Sequence, residues 1–132
     1  MLHPTTLEGF VQLVKKNLPA TPHGIRVQGD MNRSISRVAV CGGAGDSYLQ
    51  AAAQANACVY LTSDLRHHRA LESSYEPQAP ALVDVAHFAS EWPWLPHLAT
   101  LVNQNLGLKT HISRLVTDPW TTHVDPIAKG GV

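Results

Sequence analysis

The stretch Asp84-Val85-Ala86-His87-Phe88-Ala89-Ser90-Glu91 places a histidine and a carboxylate four positions apart, just past an apolar run. If the stretch is helical, both side chains fall on one face, where an imidazole nitrogen and a carboxylate can share a metal ion. Pro93 constrains that geometry, because it pushes Trp92 away from helical angles unless it sits in a first helical turn. With Ser90 as an N-cap, Glu91 and Pro93 would fill that first turn and His87 would lie on the loop before it. Either geometry lets the pair converge. The plainer explanation makes His87 a hydrogen-bonding group near a strand end and Glu91 an acid favoured by a helix dipole.

Two other segments carry chemistry of their own. In Thr62-Ser63-Asp64-Leu65-Arg66-His67-His68, Asp64 stands where a helix begins, so helix capping competes with a site role. Adjacent histidines on a helix point about 100° apart, so one of His67 and His68 would face a strand-end crevice, and spacing alone does not choose. A neutral imidazole suits zinc, iron or manganese and also serves as an acid–base group near neutral pH. In Gly42-Gly43-Ala44-Gly45-Asp46-Ser47, glycines at a strand-to-helix turn let backbone N–H groups approach an anion. The spacing matches neither G-x-G-x-x-G nor G-K-[ST], and a tight turn for helix packing explains it as well. His3, His23, His97, His111 and His123 are scattered and suggest no role. Trp92-Pro93-Trp94 reads as packing or a subunit contact rather than a platform for bases.

The elements that must position these groups follow a rhythm. Arg37–Cys41, Cys58–Thr62 and Ala81–Val85 are compact apolar runs. Helical stretches are expected at Tyr48–Ala55, Leu65–Tyr75 and Glu91–Leu106. This alternation predicts an α/β fold: a mostly parallel sheet with βαβ crossovers and helices on both faces. Ligands gather at the carboxyl ends of such strands, and all three candidate segments lie there. Upstream, Thr5 and Glu8 form a capping-box pattern for an amphipathic helix with Leu7, Phe10, Val11, Val14 and Leu18 at helical spacing. Ile25-Arg26-Val27 reads as a short strand, and Thr110–Val116 as a last strand-like piece. The expected organisation is one α/β domain over residues 1–117, with 1–36 as lead-in helix and loop and 37–117 as core. Residues 118–132, with Val124-Asp125-Pro126 and Lys129-Gly130-Gly131, read as a loose tail.

Composition narrows the function classes. The 132 residues suffice for one core without disulfide help. Ten basic and ten acidic residues cancel, and no dense Lys/Arg stripe exists, which argues against nucleic acid as main partner. No apolar stretch reaches the ~18 residues needed to cross a bilayer, so a membrane role is not expected. Cys41 and Cys58 lie in strand-like runs and suit a reduced, cytoplasmic setting. Eight histidines direct attention to metal or acid–base chemistry.

Four segments in order resemble one family: Val38 to Ser47, Val59 to Asp64 with His68, Asp84 to Glu91, and Thr117-Asp118-Pro119-Trp120. The chain is similar to the C-terminal region of the Nif-three-like proteins, known as GTP cyclohydrolase I type 2 homologues. The resemblance implies a hydrolase-like, two-metal centre in an α/β protein that forms homo-oligomeric rings. It puts the family's last two metal ligands on His87 and Glu91. It places Gly42, Gly43, Gly45, Asp46 and Ser47 as an anion-binding turn, with Asp64 and His68 as catalytic residues lining the same cavity. The family's remaining ligands, a His-His-Pro motif and an aspartate, belong to an N-terminal half that has no counterpart here. His67-His68 is followed by Arg69 instead, Ser63 replaces a usual glycine, and Ala86 replaces another.

The expectation is therefore a C-terminal part of a longer protein, inactive alone and partnered by its own N-terminal half. In the whole protein two divalent ions, zinc, iron or manganese, would activate water against a phosphate-bearing or nucleotide-like substrate. The alternative is a non-catalytic metal-binding or oligomer-assembly module.

Overall fold

The computed structural model of the chain describes residues 5–125. Strand β1 (Thr5–Thr6) leads directly into helix α1 (Leu7–Asn17), capped by Thr6, whose Oγ1 accepts from the Gly9 amide at 3.1 Å. The capping-box reading put this role on Thr5. Thr5 and Thr6 both pair with β3 and the helix starts at Leu7, so the residue just before it, Thr6, is the cap. Glu8 in the first turn and Lys15 and Lys16 in the last complement the helix dipole. Leu7, Phe10, Val11 and Val14 recur on one face and are all buried. Each such side chain removed from water contributes about 1.5–3 kcal/mol before chain entropy is set against it.

Next come β2 (Ile25–Gln28), β3 (Ser34–Ile35) and β4 (Val38–Ala44). A single 3₁₀ turn (Asp46–Tyr48) precedes α2 (Leu49–Gln54), then β5 (Val59–Ser63), α3 (His67–Ser74) and β6 (Ala81–Val85). Helices α4 (His87–Glu91) and α5 (Trp94–Leu106) follow. The main sheet has the order β2-β6-β5-β4. β4, β5 and β6 run parallel, as their unbroken apolar runs predict, and β2 joins β6 antiparallel, which makes the sheet mostly rather than wholly parallel. β1 and β3 form a separate two-stranded ribbon.

Alternation along β5 and β6 sorts the core onto two faces. Val59, Ala81, Val83 and Val85 meet the apolar face of α1 on one side. Tyr60 and Leu82 meet Leu49 and Ala52 of α2, with Leu65, on the other. Helices thus cover both faces, and Cys41 and Cys58 are free thiols packed at their margins. Every residue of β6 is buried.

Three expectations change. The helix drawn over Glu91–Leu106 is two helices, α4 and α5, broken at Trp92 and Pro93 because proline cannot donate the next helical hydrogen bond. Ser90 is consequently inside α4 rather than an N-cap. Thr110–Val116 forms no strand; its β-favouring residues pair with no strand among the described residues, and propensity without a partner does not make a strand. Of the tail, residues 118–125 carry no helix or strand, while Pro126 and Lys129-Gly130-Gly131 lie outside the described residues. Among the described residues no helix is long and apolar enough to cross a membrane.

Candidate functional site

β6 ends at Val85, Ala86 takes an extended conformation, and α4 begins on His87 itself. The four-residue spacing is therefore helical, and His87 Nε2 lies 3.3 Å from Glu91 Oε1. On the other side of the ring, Nδ1 donates to Asp64 Oδ2 at 2.5 Å. Asp64 follows the last residue of β5 with a φ of +56°, a left-handed conformation that aspartate tolerates better than most side chains. A carboxylate at each ring nitrogen favours the imidazolium. The hydrogen bond to Asp64, the largest influence, outweighs the opposing effect of burial and, with the Glu91 charge, holds the His87 pKa above its usual 6.5.

The glycine segment reaches the same place from β4. The strand runs on to Ala44, so Gly42 and Gly43 belong to its irregular end, where the pairing register with β5 shifts between Val40 and Ala44. Gly43 has a φ of +72°, and a Cβ there would lie 3.0 Å from Glu91 Oε1 and 3.3 Å from His87 Nε2. Its backbone packs where any side chain would intrude on the histidine–glutamate pair. Ser90 clamps the junction: its Oγ accepts from the Gly43 amide at 2.7 Å, donates to the His87 carbonyl at 2.8 Å, and lies 3.2 Å from Ser63 Oγ.

The other candidates sit elsewhere. Gly45 packs on the buried hydroxyls of Tyr60 and Thr62; Tyr60 donates to the Gly45 carbonyl, and burial pushes its phenol pKa up to about 12. Asp46 pairs with Arg66 and, with Ser47, lines a separate groove between α2 and α3. His68 is exposed in the first turn of α3, its ring edge-on to His67, and does not line the cavity that holds His87. Of the three candidate segments, Asp64, His87, Glu91 and Gly43 come together, whereas Gly45, Asp46, Ser47 and His68 do not join them.

Two features escaped the sequence reading. Asp84, only 5% exposed, accepts from Arg26 Nε at 2.8 Å and from the Leu65 amide at 3.0 Å, and lies 3.2 Å from His23 Nε2. By fixing Leu65 it fixes the turn that carries Asp64. The signal was available: a lone carboxylate inside Ala81-Leu82-Val83-Asp84-Val85 must find partners if that strand is buried. His23 gave no such signal, yet it lines one cavity of about 630 Å³ with Asp64, His87 and Glu91. Aromatic rings of Phe88, Trp92 and Trp120 form other parts of its wall.

The donor set can be tested against the metal that the resemblance implies. His87 Nε2 and the Glu91 carboxylate are adjacent, half exposed and of types that bind zinc, iron or manganese. A carboxylate on the non-ligating ring nitrogen is the usual support of a ligand histidine. Among the described residues, no group of three or more His, Cys, Asp or Glu side chains is arranged to hold an ion alone. The residues fit part of a site, two ligands and their support.

A family model described as Duf34/NIF3 (NGG1p interacting factor 3) matches residues 1–119. A GTP cyclohydrolase 1 type 2 homolog of Mycobacterium leprae is 46% identical over 119 residues, covering 89% of this chain and 31% of that protein. One from Streptomyces coelicolor is 41% identical over 130 residues, covering 94% of this chain and 45% of that protein. The chain thus spans 31–45% of the length of these curated relatives. Among solved structures, the Staphylococcus aureus hypothetical protein SA1388 superposes with a TM-score of 0.75 at 31% identity, covering 92% of this chain and 40% of that one. A Bacillus cereus protein related to NIF3 gives 0.71 at 28% identity, covering 92% and 34%. With a family model matched along nearly its whole described length, the chain belongs to the Duf34/NIF3 family.

Proposed function

We propose that this chain supplies two ligands, His87 through Nε2 and Glu91 through its carboxylate, to a dinuclear metal centre in a hydrolase-like protein. The observation that carries the reading is the imidazole of His87 held by Asp64 at Nδ1, with Glu91 at Nε2 and the bare backbone of Gly43 against both. Asp64, rather than His68, is the residue that orients the ligand ring. Zinc, iron or manganese would suit the donors, and a bound divalent ion supplies an activated water and stabilises developing negative charge. The remaining ligands would come from the part of the longer relatives that this chain does not span, so the chain by itself is inactive. A phosphate-bearing or nucleotide-like substrate, a homo-oligomeric assembly and a cytoplasmic location complete the proposal.

A second reading makes the chain an assembly module with the metal structural. The surface of α5 favours it: Trp94, Leu95, Leu98, Leu101 and Leu106 are exposed, and no charged residue lies between Glu91 and Lys109. Helices of this kind are normally covered.

Zinc calorimetry on the chain tests the metal reading. Two ligands cannot close a site, so binding should be weak, and weaker still in His87→Ala and Glu91→Gln. Tight one-to-one binding that survives His87→Ala would place the metal elsewhere.

A further inference from the structure

The motif Thr117-Asp118-Pro119-Trp120 has no part in the metal reading, yet the fold brings it to the same cavity. The Trp120 amide donates to Asp118 Oδ1 at 3.1 Å, a side-chain-closed turn, and Pro119 between them has a fixed φ. That turn presents the Trp120 indole, which lines the cavity and is still 67% exposed. Phe88 and Trp92, tilted against each other with ring centroids 5.4 Å apart, contribute two further rings. The cavity therefore has a polar pole, Asp64, His87 and Glu91, and an aromatic one. About 630 Å³ falls within the range of small-molecule sites, whose walls are mostly apolar with a few convergent polar groups.

We infer that this cavity takes a flat aromatic ring carrying a metal-binding donor group, stacked on Trp120 with its donors on the metal at His87 and Glu91. The inference rests on the metal reading and adds the ligand class to it. An indole held at a cavity rim by a closed turn offers a rigid stacking face at little entropic cost, and stacking on such a face does not depend on the identity of the ring. A saturated ring with the same donors would reach the metal equally well but cannot stack. The planar ring is therefore what the aromatic pole selects.

The experiment titrates the preformed one-to-one zinc complexes of picolinate and of its saturated counterpart pipecolate into the 132-residue chain. The indole N–H resonances of Trp92, Trp94 and Trp120 are followed by NMR, and Trp94 serves as an internal reference because it does not line this cavity. Zinc–picolinate should bind at least about tenfold more tightly than zinc–pipecolate, moving the Trp92 and Trp120 signals and leaving Trp94 in place. Trp120→Ala should abolish that preference while leaving the binding of free zinc unchanged; Trp120→Phe should keep part of it. Equal binding of the two complexes, or a preference that survives Trp120→Ala, overturns the aromatic inference and leaves the metal reading standing. Failure of free zinc to bind in a His87-dependent way overturns both.

Discussion

Two glycines two residues apart should fail in opposite ways when each is replaced by alanine. At Gly43 the backbone has a φ of +72°, where a Cβ costs about 1–2 kcal/mol. Loss of unfolded-chain entropy returns about 0.4–1 kcal/mol, so the net fall in stability should be about 1 kcal/mol. The new methyl group would sit 3.0 Å from Glu91 Oε1 and 3.3 Å from His87 Nε2, both tips of exposed side chains that can give way. They would yield by a few tenths of an ångström, which exceeds the tolerance of about 0.2 Å on metal–ligand distances. Zinc affinity should fall about tenfold or more. At Gly45 the φ is ordinary at −108°, but a Cβ would overlap the hydroxyls of Thr62 and Tyr60 and lie 2.8 Å from Thr62 Cβ. Both hydroxyls are buried and hydrogen-bonded, to the carbonyls of Gly43 and Gly45. Overpacking of about 1–3 kcal/mol, with a similar cost for stranding one hydroxyl, gives a loss of roughly 2–6 kcal/mol. Urea unfolding and zinc calorimetry on the two variants separate the effects. Equal destabilisation with zinc affinity unchanged in Gly43→Ala would refute the placement of Gly43 against the ligand pair.

In the metal-free chain, the His87 ring should titrate above 6.5 by NMR, and Asp64→Asn should bring it back toward that value. Because the folded pKa is the raised one, the pair's stabilisation is complete below the unfolded value and fades as pH rises through the folded one; Asp64→Asn should flatten that slope in urea melts. Asp84→Ala strands the Leu65 amide and the partly buried His23, while the exposed Arg26 turns to water, and should cost about 1–3 kcal/mol in chemical unfolding; a loss well below about 1 kcal/mol would show that water replaces the carboxylate. Ser90→Ala removes the hydroxyl between Gly43, Ser63 and the His87 carbonyl, and should cost about 1 kcal/mol with a measurable drop in zinc affinity; unchanged affinity would mean that Ser90 holds the fold and not the site.

The parallel core was readable because strands covered on both faces must be apolar almost throughout, and Val59–Thr62 and Ala81–Val85 are; Val38–Cys41 is as apolar but lies at the sheet edge, with Val40 exposed. The His87/Glu91 spacing was readable for a similar reason, since a single helical turn needs no tertiary information. What remained hidden depends on partners distant in sequence. Thr110–Val116 has the residues of a strand but pairs with no strand among the described residues. Asp64 and His68 are both polar groups after β5, and only the left-handed turn at Asp64 decides which of them meets His87. Ser90 lies 47 residues from the glycine it clamps.

Asp84 ties the fold to the site more closely than any ligand does. One of its oxygens faces Arg26 and His23, which belong to β2 and the loop before it, and so secures the antiparallel edge of the sheet. The other holds the Leu65 amide, and with it the turn at Asp64 that aims His87. A carboxylate buried to this degree needs a hydrogen-bond partner at each oxygen, so the sheet edge and the β5–α3 turn must both be formed before it is satisfied. The geometry at His87 thus depends on β2, an element of the first 36 residues that the sequence reading treated as lead-in. Shortening the chain to the βα core would leave Asp84 without Arg26 and His23, and the ligand histidine would lose its support with them.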